Sequence, residues 1–301
     1  MENKYVKQHI VPKRYLDRFA FGGDKVPVIV TRLNGEIPSF FMASTSDIGY
    51  IKNYYDVTDK DDSKYWEHFF AKQIDTLCGT PLGNVISTVT LSNNEFVLGN
   101  DEIKIIAKIV MAQIMRVPDS IKHVKDVYER TIDDVKKEAL ESLPKVLRDK
   151  YGKQIQSMVF SEQWQKEQFL NHFFSPENFE RYCKLMEERI WVVYINMLSK
   201  DMPFVTSDNP VLVEGLGNKN GLFYNGLANS TTNIFFPISP SIAVASYSRN
   251  GFVGIAADEL NGKKLLLDDI KYIIDKNIKI IEQSFHHSFV PQRLYRELVN
   301  K

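Results

Sequence analysis

The sequence predicts an α+β protein, predominantly helical, with an N-terminal β-hairpin and a short-stranded, mostly antiparallel sheet formed largely by residues 190–250. Three observations predict it. Asn34-Gly35 lies between two β-prone runs near the start, and this dipeptide tolerates the positive φ that a two-residue hairpin turn requires. Apolar residues recur at helical spacing over about residues 63–77 and again, at three to four, from Ile103 to Ile114, the period of a helix with one buried face. From Trp191 the register changes to β-branched and aromatic runs broken by Gly, Asn and Pro, which suit short strands.

Taken in order, Pro12 fits the first turn of a helix, where its missing N–H is no loss, and Tyr15, Leu16 and Phe19 share that helix's inward face before Gly22-Gly23 ends it. A start with a histidine, a rigid proline and three bulky anchors is expected to dock into the body of the fold rather than fray. Hairpin strands are expected over residues 26–33 and 36–42, then a polar, aromatic connector over 44–62. A helix over about residues 63–77 carries Trp66, Phe69, Phe70 and Ile74 on one side. Asp101 is placed to cap the next helix, in which Ile103, Ile106, Ala107, Val110 and Ile114 recur before Arg116-Val117-Pro118 ends it. Interleaved carboxylates and lysines over 119–151 read as a solvated helical stretch. Further helices are expected over 161–174 and 176–188, strands over 191–196, 203–213, 234–237 and 241–248, and a helix over about 258–282 before the closing His286-His287 segment.

At 301 residues the chain reads as one large domain. Its parts are a helix-hairpin start (1–60), a helical middle (61–189), a strand-rich part (190–255) and a C-terminal helix and tail (256–301). Lys+Arg and Asp+Glu both number 38, so an anion-binding surface has to be a local patch, and bulk coating of DNA is excluded. Cys78 and Cys183 lie far apart, outside any CxxC spacing, and read as reduced core thiols. No apolar run approaches the roughly 20 residues of a membrane span and no secretory pattern opens the chain; the expectation is a soluble, cytoplasmic protein with no membrane partner.

Two passages carry a resemblance. Gln8-His9-x-Val11-Pro12-x-x-Tyr15-Leu16-x-x-Phe19 comes first; Phe204-Val205-Thr206-Ser207-Asp208-Asn209-Pro210, followed by Phe236-Pro237-Ile238-Ser239-Pro240, comes second. With Trp66-Glu67 and Arg116-Val117-Pro118 between them, their order and spacing resemble the domain of unknown function 4238 family (DUF4238) across most of the chain. Asn277 sits in a late helix where that family places an asparagine, and Asp75 stands where it often has a second Glu. The stretch 119–174 matches no motif. The resemblance implies a bacterial or phage-associated, cytoplasmic setting and carries no activity with it.

The chemistry-bearing residues each admit two uses. His9 offers a ring that titrates near neutrality, suited to acid–base work, or a simple bond to a backbone carbonyl that fixes the start of the helix. Lys13 and Arg14, with Tyr15 beside them, place positive charge at a helix N-terminus, where a phosphate or carboxylate is favoured. In Thr206-Ser207-Asp208-Asn209-Pro210 the side chains can build an Asx-type turn. Alternatively Asp208 is a base or metal ligand, and Ser207 and Asn209 bind a ligand at a strand end. Glu67 and Asp75, eight residues apart, would lie about 12 Å apart along one helix, so a metal held by Glu67 needs His9 or Asp208 from elsewhere. Arg116 either complements its helix C-terminus or clamps a phosphate. Of His286 and His287, at most one faces a given site.

The sharpest expectation is convergence. His9, Glu67 and Asp208 would be the catalytic groups, Glu67 and Asp208 the ligands of Mg²⁺ or Mn²⁺, and Lys13, Arg14, Tyr15, Arg116, Ser207, Asn209 and Asn277 the substrate-binding groups. That set suits hydrolysis of phosphate esters by a nuclease or nucleotide hydrolase in a defence or toxin setting, with nucleic acid or nucleotide as partner. The other expectation is a non-enzymatic sensor or interaction module in which the same His, Arg and Asp residues brace the fold.

Overall fold

The computed structural model describes residues 7–30, 39–57, 64–215, 226–227 and 229–299. The fold is α+β, as the sequence predicts. The Asn34-Gly35 turn lies outside the described residues, but its flanks pair as a hairpin: β2 (Lys25–Val30) runs antiparallel to β3 (Phe40–Ser44) from Lys25 opposite Ser44 to Ile29 opposite Phe40. Two distant segments extend it into a four-stranded sheet, since β11 (His287–Phe289) pairs with β2 on one side and with β6 (Thr206–Ser207) on the other.

The larger sheet has five strands in the order β10 (Lys264–Leu267), β5 (Ile190–Asn196), β9 (Ile242–Tyr247), β8 (Asn233–Ser239) and β7 (Leu212–Glu214). All its pairings are antiparallel except β10 with β5. Two expectations are corrected here. The strand over 203–213 is two strands in two different sheets, because Pro210 has no N–H to continue a ladder. The helix over 258–282 is a 3₁₀ turn, a strand and then a helix, because Gly262 at φ +81° turns the chain and its amide and carbonyl join Trp191 to Val97 and Leu98. The helix starts only at Ile270, where the Asp269 carboxylate caps the amides of Lys271 and Tyr272.

The helical layer is built around α4 (Asn100–Arg116), whose inward residues from Ile103 to Met115 are buried, with α3 (Thr80–Leu91) and α8 (Pro176–Glu187) against it. Helix α3 is not anticipated by the sequence reading. Its run of Val, Ile and Thr has low helix propensity, but burial of Leu82, Val85 and Val89 at i, i+3 and i+7 outweighs that. The helix expected over 63–77 is α2 (Tyr65–Phe70) followed by a π-helical turn over Ala71–Asp75. The charged stretch forms α5 (Pro118–Ser142) and α6 (Lys145–Ser157); Ser120 is the one residue that α5 buries among those described, and α6 buries none. Tyr15, Leu16 and Phe19 are buried as expected, although α1 (Lys13–Leu16) is a single turn, extended by a 3₁₀ turn over Asp17–Phe19. Cys78 and Cys183 are free and buried, and burial pushes each thiol up to about 12. No described helix is long and apolar enough to cross a membrane.

Candidate functional site

His9 ends strand β1 (Lys7–His9), which pairs with Tyr50–Lys52 in the segment the sequence reads as a connector. Four neighbouring residues there fasten to different parts of the fold. Gln8 donates to the Asp56 carboxylate at 2.5 Å and accepts from the Tyr55 amide. The carbonyls of His9 and Ile10 accept from Arg116 and Gln113, one turn apart on α4. Tyr15 donates to the Pro237 carbonyl at 2.8 Å, so the Thr206 hydroxyl, 2.7 Å away, donates to Tyr15.

Arg116 is wholly buried and donates to Asp75 at 2.7 Å, with its guanidinium 5.0 Å from the Phe70 ring centroid. Burial works against its charge, but Asp75 and Tyr55 outweigh that and raise its hold on the proton. Asp75 ends the π-helical turn, whose i→i+5 bonds under-wind the helix relative to an α-helical spacing from Glu67. Both carboxylates then act on Arg116 electrostatically.

Two groups beside the ion pair are under-used. The His9 Nε2 is buried without a hydrogen-bond partner. Burial lowers the ring's proton affinity and Arg116 adds to this, against the pull of Asp75 and the Thr45 backbone. Glu67 is half-buried; burial raises its carboxyl, with Arg116 opposing and Asp75 reinforcing.

The second motif is occupied differently. The two Asp208 oxygens accept three backbone amides, from Phe285 at 2.6 Å, His286 at 2.7 Å and His287 at 2.8 Å. Ser207 bonds within its own turn to Asn209. Asn209 exchanges bonds with Gln283, and Asn277 holds the Val205 amide and the Pro203 carbonyl. These side chains tie the Thr206–Pro210 turn to the helix over Ile270–Glu282 and to the strand that follows it.

The structure therefore brings His9, Glu67 and Arg116 together around Asp75, and separately gathers Ser207, Asp208, Asn209 and Asn277; Tyr15 bridges from the first motif to the second through Thr206. Lys13 pairs with Asp17. Arg14 is exposed, and a Cβ at Gly79 would lie 2.5 Å from its Nη1, so this cation sits four residues past Asp75. Of the paired histidines, His287 has Nδ1 3.8 Å from Asp208, while the His286 ring packs on Phe285. The donors do not fit the divalent metal that the sequence reading assigns to Glu67 and Asp208. Asp208 accepts three N–H groups, the Arg116 charge acts on Glu67, and among the described residues no three His, Cys, Asp or Glu side chains gather as a ligand set.

The sequence reading does not single out Gln8, Tyr55, Gln113 or Gln283. For Gln8 a signal existed, a polar residue inside the first motif, whereas Gln113 looks like an ordinary helix residue until its carbonyl partner is seen.

The family described as "Protein of unknown function (DUF4238)" matches residues 7–260. No curated protein and no solved structure matches the chain.

Proposed function

The chain belongs to the DUF4238 family, and from that premise we propose that it is a hydrolase of phosphate esters, of nucleotides or nucleic acid, working through His9 and Glu67 without a divalent metal. The observation that carries this reading is the His9 Nε2, buried and left without a partner in a cluster where Asp75 and Arg116 act on both His9 and the half-buried Glu67. Burial shifts the imidazole toward its neutral form and the Glu67 carboxyl toward its protonated form, the directions that suit a base and an acid. As a water oxygen attacks phosphorus, its proton passes to Nε2; the ester oxygen leaves with the proton of Glu67. Arg116 and Asp75 act as positioning residues, and Arg14 supplies exposed positive charge nearby. A π-helical turn next to the pair is in keeping with a site, since such turns occur frequently at functional positions.

The test is turnover of RNA, single-stranded DNA, nucleotides and bis(p-nitrophenyl) phosphate by the full chain in excess EDTA. His9→Asn and Glu67→Gln are each expected to lower it by about 100-fold or more with the unfolding midpoint little changed. Absence of turnover on every substrate, or turnover that EDTA abolishes and His9→Asn leaves intact, refutes the reading.

A second reading rests on a different observation. Helices α5 and α6 bury almost nothing and expose Val127, Val135 and Val146, as an arm that engages another protein would. Val135→Asp and Val146→Asp would then abolish association without affecting turnover.

A further inference from the structure

A cleft of about 310 Å³ opens at the base of that arm, where the first turns of α5 meet the first turns of α7 (Glu162–Phe173) and Tyr54. Three of its features point to a ligand. Two polar atoms on residues that line it, the Tyr54 hydroxyl and the Gln165 Oε1, are buried and have no hydrogen-bond partner. Buried polar groups are nearly always satisfied, so two exceptions in one cleft call for an occupant. Lysines line it as well: Lys125 is tied to Glu162, but Lys122 and Lys166 have no ion-pair partner among the described residues. Lys166 is held by the Tyr54 carbonyl at 2.8 Å, and burial lowers its proton affinity. Glu162 lies in the cleft, Asp119 acts on Tyr54, and Asp56 and Glu167 act on Lys166, so Lys122 is the cleft lysine left with no carboxylate set against it among the described residues. The remaining wall is apolar, made by Pro118, Ile121 and Val124.

We propose that this cleft binds a small planar anion, a ring bearing a carboxylate or phosphate. The ring lies against the apolar wall and Tyr54, the charge sits at Lys122, and Gln165 accepts from a donor on the ring. The volume is at the lower end for ligand sites, so the body is one ring or a purine and not a dinucleotide. This site is on the far side of residues 54–57 from the His9 cluster: Tyr54 belongs to the cleft, while its neighbour Tyr55 faces Phe70 and Arg116. It does not depend on the hydrolase reading.

The test is calorimetric titration of the full chain with adenosine monophosphate and with 4-hydroxybenzoate, a phosphate and a carboxylate on planar rings. Adenosine and inorganic phosphate serve as the ring without charge and the charge without ring. At least one of the two ring-bearing anions is expected to bind with Kd of about 1 mM or tighter, and both controls at least about tenfold more weakly. Lys122→Ala and Tyr54→Phe should each weaken binding about tenfold, the factor for one charge-assisted or buried hydrogen bond. His9→Asn should leave it unchanged, which separates this cleft from the proposed reaction centre. Failure of both anions to bind at concentrations on the order of 10 mM, or binding indifferent to Lys122→Ala and Tyr54→Phe, overturns the proposal.

Discussion

Replacing Arg116 by Met tests whether the first motif is held by charge. The guanidinium is wholly buried and makes two charge-assisted bonds, to Asp75 and to the His9 carbonyl. Each such bond contributes about 1.5–3 kcal/mol, and the Phe70 face adds about 1 kcal/mol. Methionine recovers part of the lost packing, so the expected loss is about 3–5 kcal/mol, as when one partner of a buried pair is removed. Most of that loss comes from stranding Asp75 and the carbonyl, so removing both ions should be milder. Arg116→Met with Asp75→Leu leaves the His9 carbonyl unpaired and should cost about 1–3 kcal/mol, less than the sum of the single changes. Urea unfolding of the four proteins, read through midpoint and slope, measures this cycle. Additive single changes, or a loss below about 1 kcal/mol for Arg116→Met, would refute the argument.

Two further outcomes follow from the same geometry. Asp208→Asn should destabilise the fold by about 2–4 kcal/mol, because an amide presents one acceptor and two donors to three inward-pointing N–H groups; hydrogen exchange at Phe285, His286 and His287 should accelerate, and unchanged protection would count against a bracing role. Burial sets the proton affinity of His9 in the folded state below the unfolded value of 6.5, so the fold favours the neutral ring; its contribution is present above the unfolded value and is lost as pH falls through the folded one. The unfolding free energy should therefore fall more steeply in the wild type than in His9→Asn between about pH 7.5 and about pH 5, and parallel curves would show that the ring does not titrate there.

What the sequence revealed depended on how local the cause was. The hairpin pairing of β2 with β3 and the strands β5, β8 and β9 follow from local causes, a turn dipeptide and β-branched and aromatic runs broken by Gly, Asn and Pro. Helix α3 and the strand at Lys264–Leu267 were illegible because their conformation is imposed from outside: Leu82, Val85 and Val89 by the core they enter, and β10 by Trp191 bonding across to Asn261 and Gly262. For the candidate site the residue types were readable and the partners were not. Arg116 was visible as a cation at the end of an apolar helix, but its partner Asp75 lies in a π-helical turn that no periodicity announces. Likewise Asp208 was readable as part of an Asx-type turn or as a base or ligand, and neither reading reaches the three amides that occupy it, which come from residues 285–287, nearly eighty positions away.

The two motifs differ in what their side chains are free to do, and that difference decides which substitutions carry information about function. Between Gln8 and Tyr15 the chain fastens to Tyr55 and Asp56, to two positions on α4, and to Thr206 and Pro237. Of the bonds at His9, the one to Arg116 uses its carbonyl, which any residue would supply, while the imidazole Nε2 stays uncommitted. A change at His9 can therefore remove the ring, and with it the interaction with the Thr45 backbone, and leave the attachment to Arg116. At Asp208, Tyr15 or Arg116 the side chain is itself the attachment, so loss of activity there is expected from misfolding alone. Within the first motif, His9→Asn is the substitution whose effect on turnover separates chemistry from scaffolding.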